Sequence, residues 1–380
     1  MDKMIYMDHS ATTPVKKEVL QEMLPYFSEF YGNPSSVYQL SSKSKLAIDK
    51  AREQVAKGIG AKKNEIYFTG GGSESDNWAI KGIAYRNKEK GHHIITTKIE
   101  HPAVLEACKF LQEFEGFEVT YVGVDQSGMV NPKDIEKAIR PNSILISIMH
   151  ANNEVGTIQP IEEISRIAHR HNIIMHTDAA QSIGKIKVDV DTLGIDLLSV
   201  AGHKFCAPKG VGALFIRRGT QIVRLMHGAR HEFGLRPGTE NVMEIVGLGE
   251  ACRLVSDNLK SYTHQMRKMR DMLEAMIIHK IPCVRINGHV KNRLPNTSSL
   301  GFRDIKANEI MEACPHVAVS AGAACHANQI DVSHVLKAMQ VPLEYAMGTI
   351  RFSVGRNTSE EDVISAVEKI GTSVIQLHKR

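Results

Sequence analysis

The sequence predicts an α/β protein: a large domain with a mostly parallel, seven-stranded sheet covered by helices, and a smaller α/β domain at the C-terminus. Two observations predict it. Seven short β-rich runs alternate with helical segments between residues 64 and 217, the pattern of a parallel sheet covered on both faces. Two of those runs also end on residues able to carry chemistry, at the carboxyl ends where open α/β sheets bind ligands.

The first run, Glu65-Ile66-Tyr67-Phe68-Thr69, breaks into Gly70-Gly71-Gly72 and then into a helical pattern from Ser73 to about residue 90. Glycines let backbone approach an anion, and a helix start offers free N–H groups with a favourable dipole, which suits a phosphate. The segment is not a Walker A loop, since no Gly-Lys-Ser/Thr follows, and Ser75 breaks the G-x-G-x-x-G pattern. Strands are predicted next at 92–97, 117–122 and 143–149, with helices at 101–114, opened by Pro102, and at 160–172. The strand at 173–177 delivers Asp178. The strand at 196–201 stops at Gly202-His203-Lys204, and a last one covers 211–217. A long helical region near 240–280 leads to strands near 297–302 and 349–354 and a final helix near 359–378.

A lysine at the end of a buried strand can lose its charge by desolvation and attack an aldehyde, as a Schiff base with pyridoxal phosphate requires. The cofactor acts as an electron sink while its ring nitrogen stays protonated, and a carboxylate beside that nitrogen enforces the charge. Lys204 and Asp178 fit these two needs. Taken singly, a solvated surface lysine and a turn or N-cap aspartate fit them too. Two strand ends carrying both residues favour chemistry.

Other segments occur in order with these strands, nearly from end to end: Tyr6-Met7-Asp8-His9-Ser10-Ala11-Thr12-Thr13-Pro14, Gly32-Asn33-Pro34-Ser35-Ser36, Glu100-His101 and His150-Ala151-Asn152-Asn153-Glu154-Val155-Gly156. Arg236-Pro237-Gly238-Thr239-Glu240-Asn241, Ala321-Gly322-Ala323-Ala324-Cys325 and Arg351-Phe352-Ser353-Val354-Gly355-Arg356 follow. In these motifs the chain resembles the cysteine desulfurases and selenocysteine lyases, class V members of the fold type I pyridoxal-phosphate enzymes.

The resemblance implies pyridoxal 5'-phosphate as cofactor, with Lys204 as the Schiff-base lysine and the base that moves the α-proton. Asp178 becomes the ring-nitrogen partner and Gln181 a donor to the ring hydroxyl. His101 would stack on the ring, and Asn153 would touch the ring hydroxyl or the substrate. Gly72, Ser73, Ser199 and His203 would hold the phosphate, with Thr239 reaching in from the partner subunit of a homodimer. Arg351, a planar bidentate donor, would clamp the substrate α-carboxylate, with Asn33 a further candidate for it. The thiolate of Cys325 would attack the substrate sulfur, leaving alanine and an enzyme persulfide, and the adjacent His326 would help populate that thiolate. The implied division is a large domain over residues 15–255 and a small one made from 1–14 and 256–380.

The expected function is therefore a cysteine desulfurase that passes persulfide sulfur to an acceptor protein left unidentified. A selenocysteine lyase is the alternative. Ala201 stands where many desulfurases carry a serine, Arg230 adds a cation to Gly228-Ala229-Arg230-His231-Glu232, and Gly-Ala-Ala-Cys-His leans toward the lyases. A class V aminotransferase that ignores Cys325 is a third reading. A non-catalytic carrier is disfavoured because Lys204, Asp178 and Arg351 are all retained. The chain ends soon after its last predicted helix, without the longer tail that housekeeping desulfurases use to dock a scaffold, which leaves the acceptor open.

Composition narrows the partners. Lys and Arg number 47 against 42 Asp and Glu, a net charge of +5 with no basic block of the kind that marks nucleic-acid binding. No signal peptide or apolar span of membrane length is read, so a cytoplasmic protein is expected. The six cysteines include no CxxC pair and suit a reducing compartment. His227 and His231 have helix-face spacing, but the intervening Gly228 and the nearby Gly234 and Pro237 favour a loop, so no metal site is expected.

Overall fold

The structure is a computed structural model that describes residues 4–326 and 329–379, with backbone alone at 324–326 and 329–331. The first strands are β1 (Ile5–Tyr6), β2 (Ile66–Thr69), β3 (His93–Thr97), β4 (Glu118–Val122), β5 (Ser143–Ser147), β6 (Ile174–Asp178), β7 (Leu197–Ala201) and β8 (Gly212–Ile216). Strands β2 to β8 form one sheet in the order β2-β8-β7-β6-β5-β3-β4. Five neighbours, β4, β3, β5, β6 and β7, run parallel, and β8 is antiparallel to both β7 and β2. This is the mostly parallel, seven-stranded sheet that the alternating pattern predicts.

Alternation along each strand divides the core between two faces. Ile94, Leu197, Leu214 and Ile216 pack with Trp78, Ile83, Val104 and Leu111 from the helices Gly72–Arg86 and Pro102–Phe114. Their strand neighbours Ile95, Leu198 and Phe215 point the other way, into a cluster with Val55, Ile164 and Leu248. Strands β3, β7 and β8 are buried throughout, and β7 (Leu197–Ala201) and β8 (Gly212–Ile216) accordingly lack the polar-apolar alternation of a half-exposed strand.

Beyond the sheet, the helix Val242–Lys280 links two cores. Its residues through Val255 belong to the large core, and those from Met266 to Ile277 to a second one. Around that second core lie β9 (Val284–Asn287), β10 (Thr297–Phe302), β11 (Val317–Ala318), β12 (Ser320–Ala321) and β15 (Thr349–Ser353), while β13 (Ala323–His326) and β14 (Gln329–Val332) form a separate two-stranded sheet whose Val332 packs in a small cluster with Ile99, Met149 and Val335. An antiparallel sheet runs β12-β15-β10-β9, and the helix Glu360–Leu377 adds Val363, Val367 and Ile370 to the core beside it. The N-terminus joins this region: β1 pairs with β11, Asp8 bridges to Ser353, and Ile5 and Met7 are buried in the second core. The hairpin β13–β14 is a departure from the sequence reading, which placed no strand there; Cys325 pairs with Ile330 in its register.

The loop after β8 is fixed by a buried ion pair. Arg52, from the helix Gln39–Ile59, donates to both oxygens of Glu232 at 2.6 and 2.7 Å, and the Phe68 N–H reaches the same carboxylate at 2.8 Å. Removing one partner of such a pair leaves a buried charge uncompensated, at about 3–5 kcal/mol. Glu232→Gln is therefore expected to destabilise the chain by about that amount in urea denaturation, while the double change Arg52→Met with Glu232→Leu recovers part of the loss. Equal stabilities for the single and double variants would contradict this.

Candidate active site

Strands β6 and β7 are neighbours and bring their carboxyl ends together. β6 ends on Asp178, and β7 runs into a 3₁₀ turn over Gly202–Lys204. Both residues line a cavity of about 350 Å³ that also receives Gly72, Ser73, His101, Asn153, Gln181, His203 and Arg351. Nine residues predicted for cofactor or substrate thus meet at one place.

Lys204 enters as a desolvated amine. Its Nζ donates to the carbonyl oxygens of Ser10 at 2.9 Å and Ala11 at 2.8 Å. Burial, then the Arg351 cation, push it down to about 8, against the pull of Asp178 and Asp8. Asp178 is buried, and its Oδ1 accepts from the Ala180 N–H at 2.8 Å. Burial holds its pKa above the ordinary carboxylate range, with that N–H, His101 and Lys204 pulling back. His101 does not end a strand: it caps the helix Pro102–Phe114, its Nδ1 accepting from the Ala103 N–H at 3.1 Å. That bond assigns the ring proton to Nε2 in the neutral form, which burial and the neighbouring Lys204 favour. Gln181 donates to the Ser10 carbonyl at 3.0 Å, and its own carbonyl accepts from Lys185 at 2.5 Å, so its amide group is oriented.

The Gly72 end of the cavity is held by an ion pair. Arg236 donates through Nε and Nη2 to Glu74, whose carboxylate also accepts from the Gly70 N–H at 2.7 Å. A Cβ at Gly72 would lie 3.0 Å from that of Ala201, so glycine is what lets the helix start sit against the strand end. His203 is tied to Thr12, its Nδ1 lying 3.1 Å from Oγ1.

Three predicted residues do not reach the cavity of this chain. Ser199 is wholly buried, 3.0 Å from His176 Nε2, and His176 Nδ1 lies 2.8 Å from Ser147. It belongs to a polar network inside the sheet layer, so its assignment to the phosphate is corrected. Asn33 is exposed, with Oδ1 accepting from the Ser35 N–H at 2.9 Å in a turn, and does not line the cavity of this chain. Thr239 is exposed on the loop after Arg236. The backbone of Cys325 and His326 lies on β13, and their side chains fall outside the described residues.

Sequence reasoning missed two acids. Asp76, one helical turn beyond Gly72, lines the cavity wholly buried, and its Oδ1 has no hydrogen-bond partner among the described residues. Burial, then Asp178, push its carboxyl well above the ordinary range. Asp8 engages Arg351: Nη2 donates to its Oδ1 and to Ser320 Oγ, both at 2.8 Å, while Nη1 donates to the Asn153 carbonyl at 2.9 Å. The expected carboxylate clamp is thus held in place by an internal carboxylate, with its Nε left without a hydrogen-bond partner among the described residues.

These residues fit pyridoxal phosphate. A desolvated amine, a buried carboxylate with one oxygen engaged by backbone, an imidazole and a glycine-lined helix start share one cavity of suitable size. Asp178→Asn keeps the shape and removes the charge. Turnover is expected to fall on the order of a hundredfold, the scale of losing one preorganised electrostatic contact, with the cofactor's visible absorption retained through Lys204. Unchanged kcat in that variant would remove Asp178 from its role.

Comparison with known proteins agrees with this geometry. The family model for aminotransferase class-V matches residues 5–365. A cysteine desulfurase IscS of Methanosarcina thermophila is 50% identical over 99% of this chain and 93% of its own length. One from Dictyoglomus turgidum is 48% identical over 96% and 92%. Among solved structures, a NifS-like protein superposes with a TM-score of 0.92 at 39% identity, covering 98% of this chain and 100% of the other. SspA in complex with cysteine gives 0.82 at 40%, covering 93% and 99%. The chain belongs to the class-V aminotransferase family of pyridoxal-phosphate enzymes. Within that family it is a member of the cysteine desulfurases.

Proposed function

We propose that the chain converts L-cysteine to L-alanine and carries the released sulfur as a persulfide on Cys325 for transfer to an acceptor protein. The observation that carries this reading is the meeting of Lys204, Asp178, His101 and Arg351 in one cavity of a chain half identical to cysteine desulfurases. Bound pyridoxal phosphate supplies the electron sink that makes the amino acid's α-hydrogen acidic. Lys204 anchors the cofactor and moves that proton. Asp178 keeps a positive charge at the ring nitrogen, Gln181 donates to the ring hydroxyl, and His101 covers the ring. Gly72 and Ser73 offer helix-start N–H groups to the phosphate, with His203 beside them. Arg351, positioned by Asp8 and Ser320, takes the α-carboxylate, and Asn153 lies next to it through the Nη1 contact.

Cys325 then acts as nucleophile. Its thiolate forms an S–S bond with the substrate sulfur as the Cβ–S bond breaks, and the electron pair left on carbon takes up a proton to give alanine. The relatives at about half identity are desulfurases, which supports sulfur over selenium despite Ala201. The solved SspA complex with cysteine supports the same substrate class.

A homodimer with Thr239 reaching the partner's site fits that residue's exposure on its loop. The division at 15–255 against 1–14 and 256–380 is supported by the change of core along the helix Val242–Lys280. No helix among the described residues is long and apolar enough to cross a membrane, in keeping with a cytoplasmic enzyme.

The test is product analysis of the cofactor-loaded chain with L-cysteine or L-selenocysteine, a thiol reductant and no keto acid. Alanine and sulfide in equal amounts, with slower turnover of selenocysteine, is the expected result. Preference for selenocysteine would make the chain a lyase, and alanine formation that requires a keto acid would make it an aminotransferase.

A further inference from the structure

Behind Lys204, away from Asp178, lies a second cavity of about 310 Å³ between the two cores. Lys204 lines both cavities. Cations gather on the second one: Lys16, Lys17, Lys185, Arg356 and Lys204, with His9 beside them. Its one acidic lining residue, Glu18, is about half exposed and already paired with Lys16 at 3.3 Å. The other nearby acid, Asp8, is taken by Arg351.

Two of these cations have no carboxylate among the described residues. Lys185 is 3% exposed and donates only to the neutral amide oxygen of Gln181. Burial and the neighbouring Lys204, Arg351 and Arg356 charges push it well below the ordinary lysine range. Arg356 stacks on the Tyr262 ring at 4.3 Å and makes one long bond, Nη2 to the Phe205 carbonyl at 3.4 Å, while its buried Nη1 has no hydrogen-bond partner among the described residues. Desolvation of an unpaired ion costs several kcal/mol, which drives Lys185 toward its neutral form, whereas the Arg356 guanidinium cannot shed its charge and is left with no carboxylate among the described residues.

The surrounding backbone makes room for these groups. At Gly184, φ is +81° and a Cβ would stand 2.8 Å from Arg356 Nη2. At Gly355 a Cβ would fall within 2.5 Å of the His9 ring nitrogens. The rest of the lining is mostly apolar, from Pro14, Val15, Phe205, Met266 and Val354, with the polar Thr13, Asn296 and Asn357 among it.

We propose that this cavity binds a small organic monocarboxylate, its two oxygens taken by Arg356 and Lys185 and its short apolar body by the opposite walls. A planar guanidinium with free N–H groups matches a carboxylate. The apolar side chains give the body of an organic acid a surface that a bare phosphate or sulfate would leave unused. The site is distinct from the substrate pocket, where Arg351 binds the α-carboxylate.

Calorimetric titration of the cofactor-loaded enzyme with sodium 3-methylbutanoate tests it, with 3-methylbutanamide as the neutral isostere. One saturable site per chain is expected for the acid, with the amide weaker by about tenfold or more, the scale of losing a charge-assisted hydrogen bond. Arg356→Gln should weaken the acid by a similar factor, Arg356→Lys by less, and Arg351→Lys should leave it unchanged. Equal binding of acid and amide, or no saturable binding, overturns the proposal. So does loss of binding in Arg351→Lys alone, which would place the acid in the substrate pocket. The acid and amide comparison on the unaltered chain decides the matter even if an Arg356 variant fails to fold, and it is read independently of turnover.

Discussion

Lys204→Ala is expected to yield a colourless protein that loses pyridoxal phosphate on dialysis and turns over cysteine at least about a thousandfold more slowly. The residue is proposed to have two tasks in one place, anchoring the cofactor and moving the α-proton, and a positioned acid or base alone contributes about 10²- to 10⁴-fold. The same amine sets the pH dependence of loading. Reaction with the cofactor aldehyde needs the neutral amine, and burial with Arg351 moves its titration from 10.5 down to about 8. Uptake by the cofactor-free chain should therefore rise with pH through about 8 and level off above it, well before the range of an ordinary lysine. Visible absorbance during reconstitution across that range checks the sign. A midpoint near that of a free lysine would contradict the desolvated setting, and a Lys204→Ala protein that stays yellow would move the anchor elsewhere.

What could be read from the sequence follows from how local each signal is. Asp178 and Lys204 were legible because each ends a short apolar run, and a parallel sheet carries such ends to one edge. Gly72 was legible through the glycine break before a helix taken together with the two strand ends, the break alone being a weak signal. Ser199 misled for a reason of register. It stands two residues, roughly 7 Å, before the strand end, where it meets His176 instead of the cavity. Asp76 had a signal that could have found it, since one helical turn beyond Gly72 and Ser73 returns to the same helix face. The hold of Asp8 on Arg351 had none: the two are 343 positions apart, and only the pairing of the N-terminal segment with the second core brings them together. The carboxylate cradle belongs to the tertiary structure, whereas the cofactor lysine belongs to a strand.

Cys325→Ala is expected to leave cofactor binding and colour intact while alanine formation from cysteine falls to background and no persulfide forms on the chain. The backbone supports so separate an effect. Ser320, on β12, pairs with Arg351 and accepts a hydrogen bond from its guanidinium, so the segment toward Cys325 departs from the proposed carboxylate site. Five residues then reach Cys325, a span of at most about 18 Å even fully extended. The hairpin base is closed by the Ser333 N–H on the Gly322 carbonyl at 2.9 Å. The charged groups of the proposed cofactor cradle come from β6, the end of β7 and a helix start, and this hairpin contributes none of them among the described residues. Lys204 and Asp178 should therefore still hold the cofactor and labilise the α-hydrogen when the thiol is gone. Exchange of that hydrogen with solvent deuterium in Cys325→Ala, followed by mass spectrometry of recovered cysteine, separates the two steps. Exchange without alanine places Cys325 at sulfur removal alone. Loss of exchange would give the cysteine a part in substrate activation, and undiminished alanine formation would show that sulfur leaves by another route.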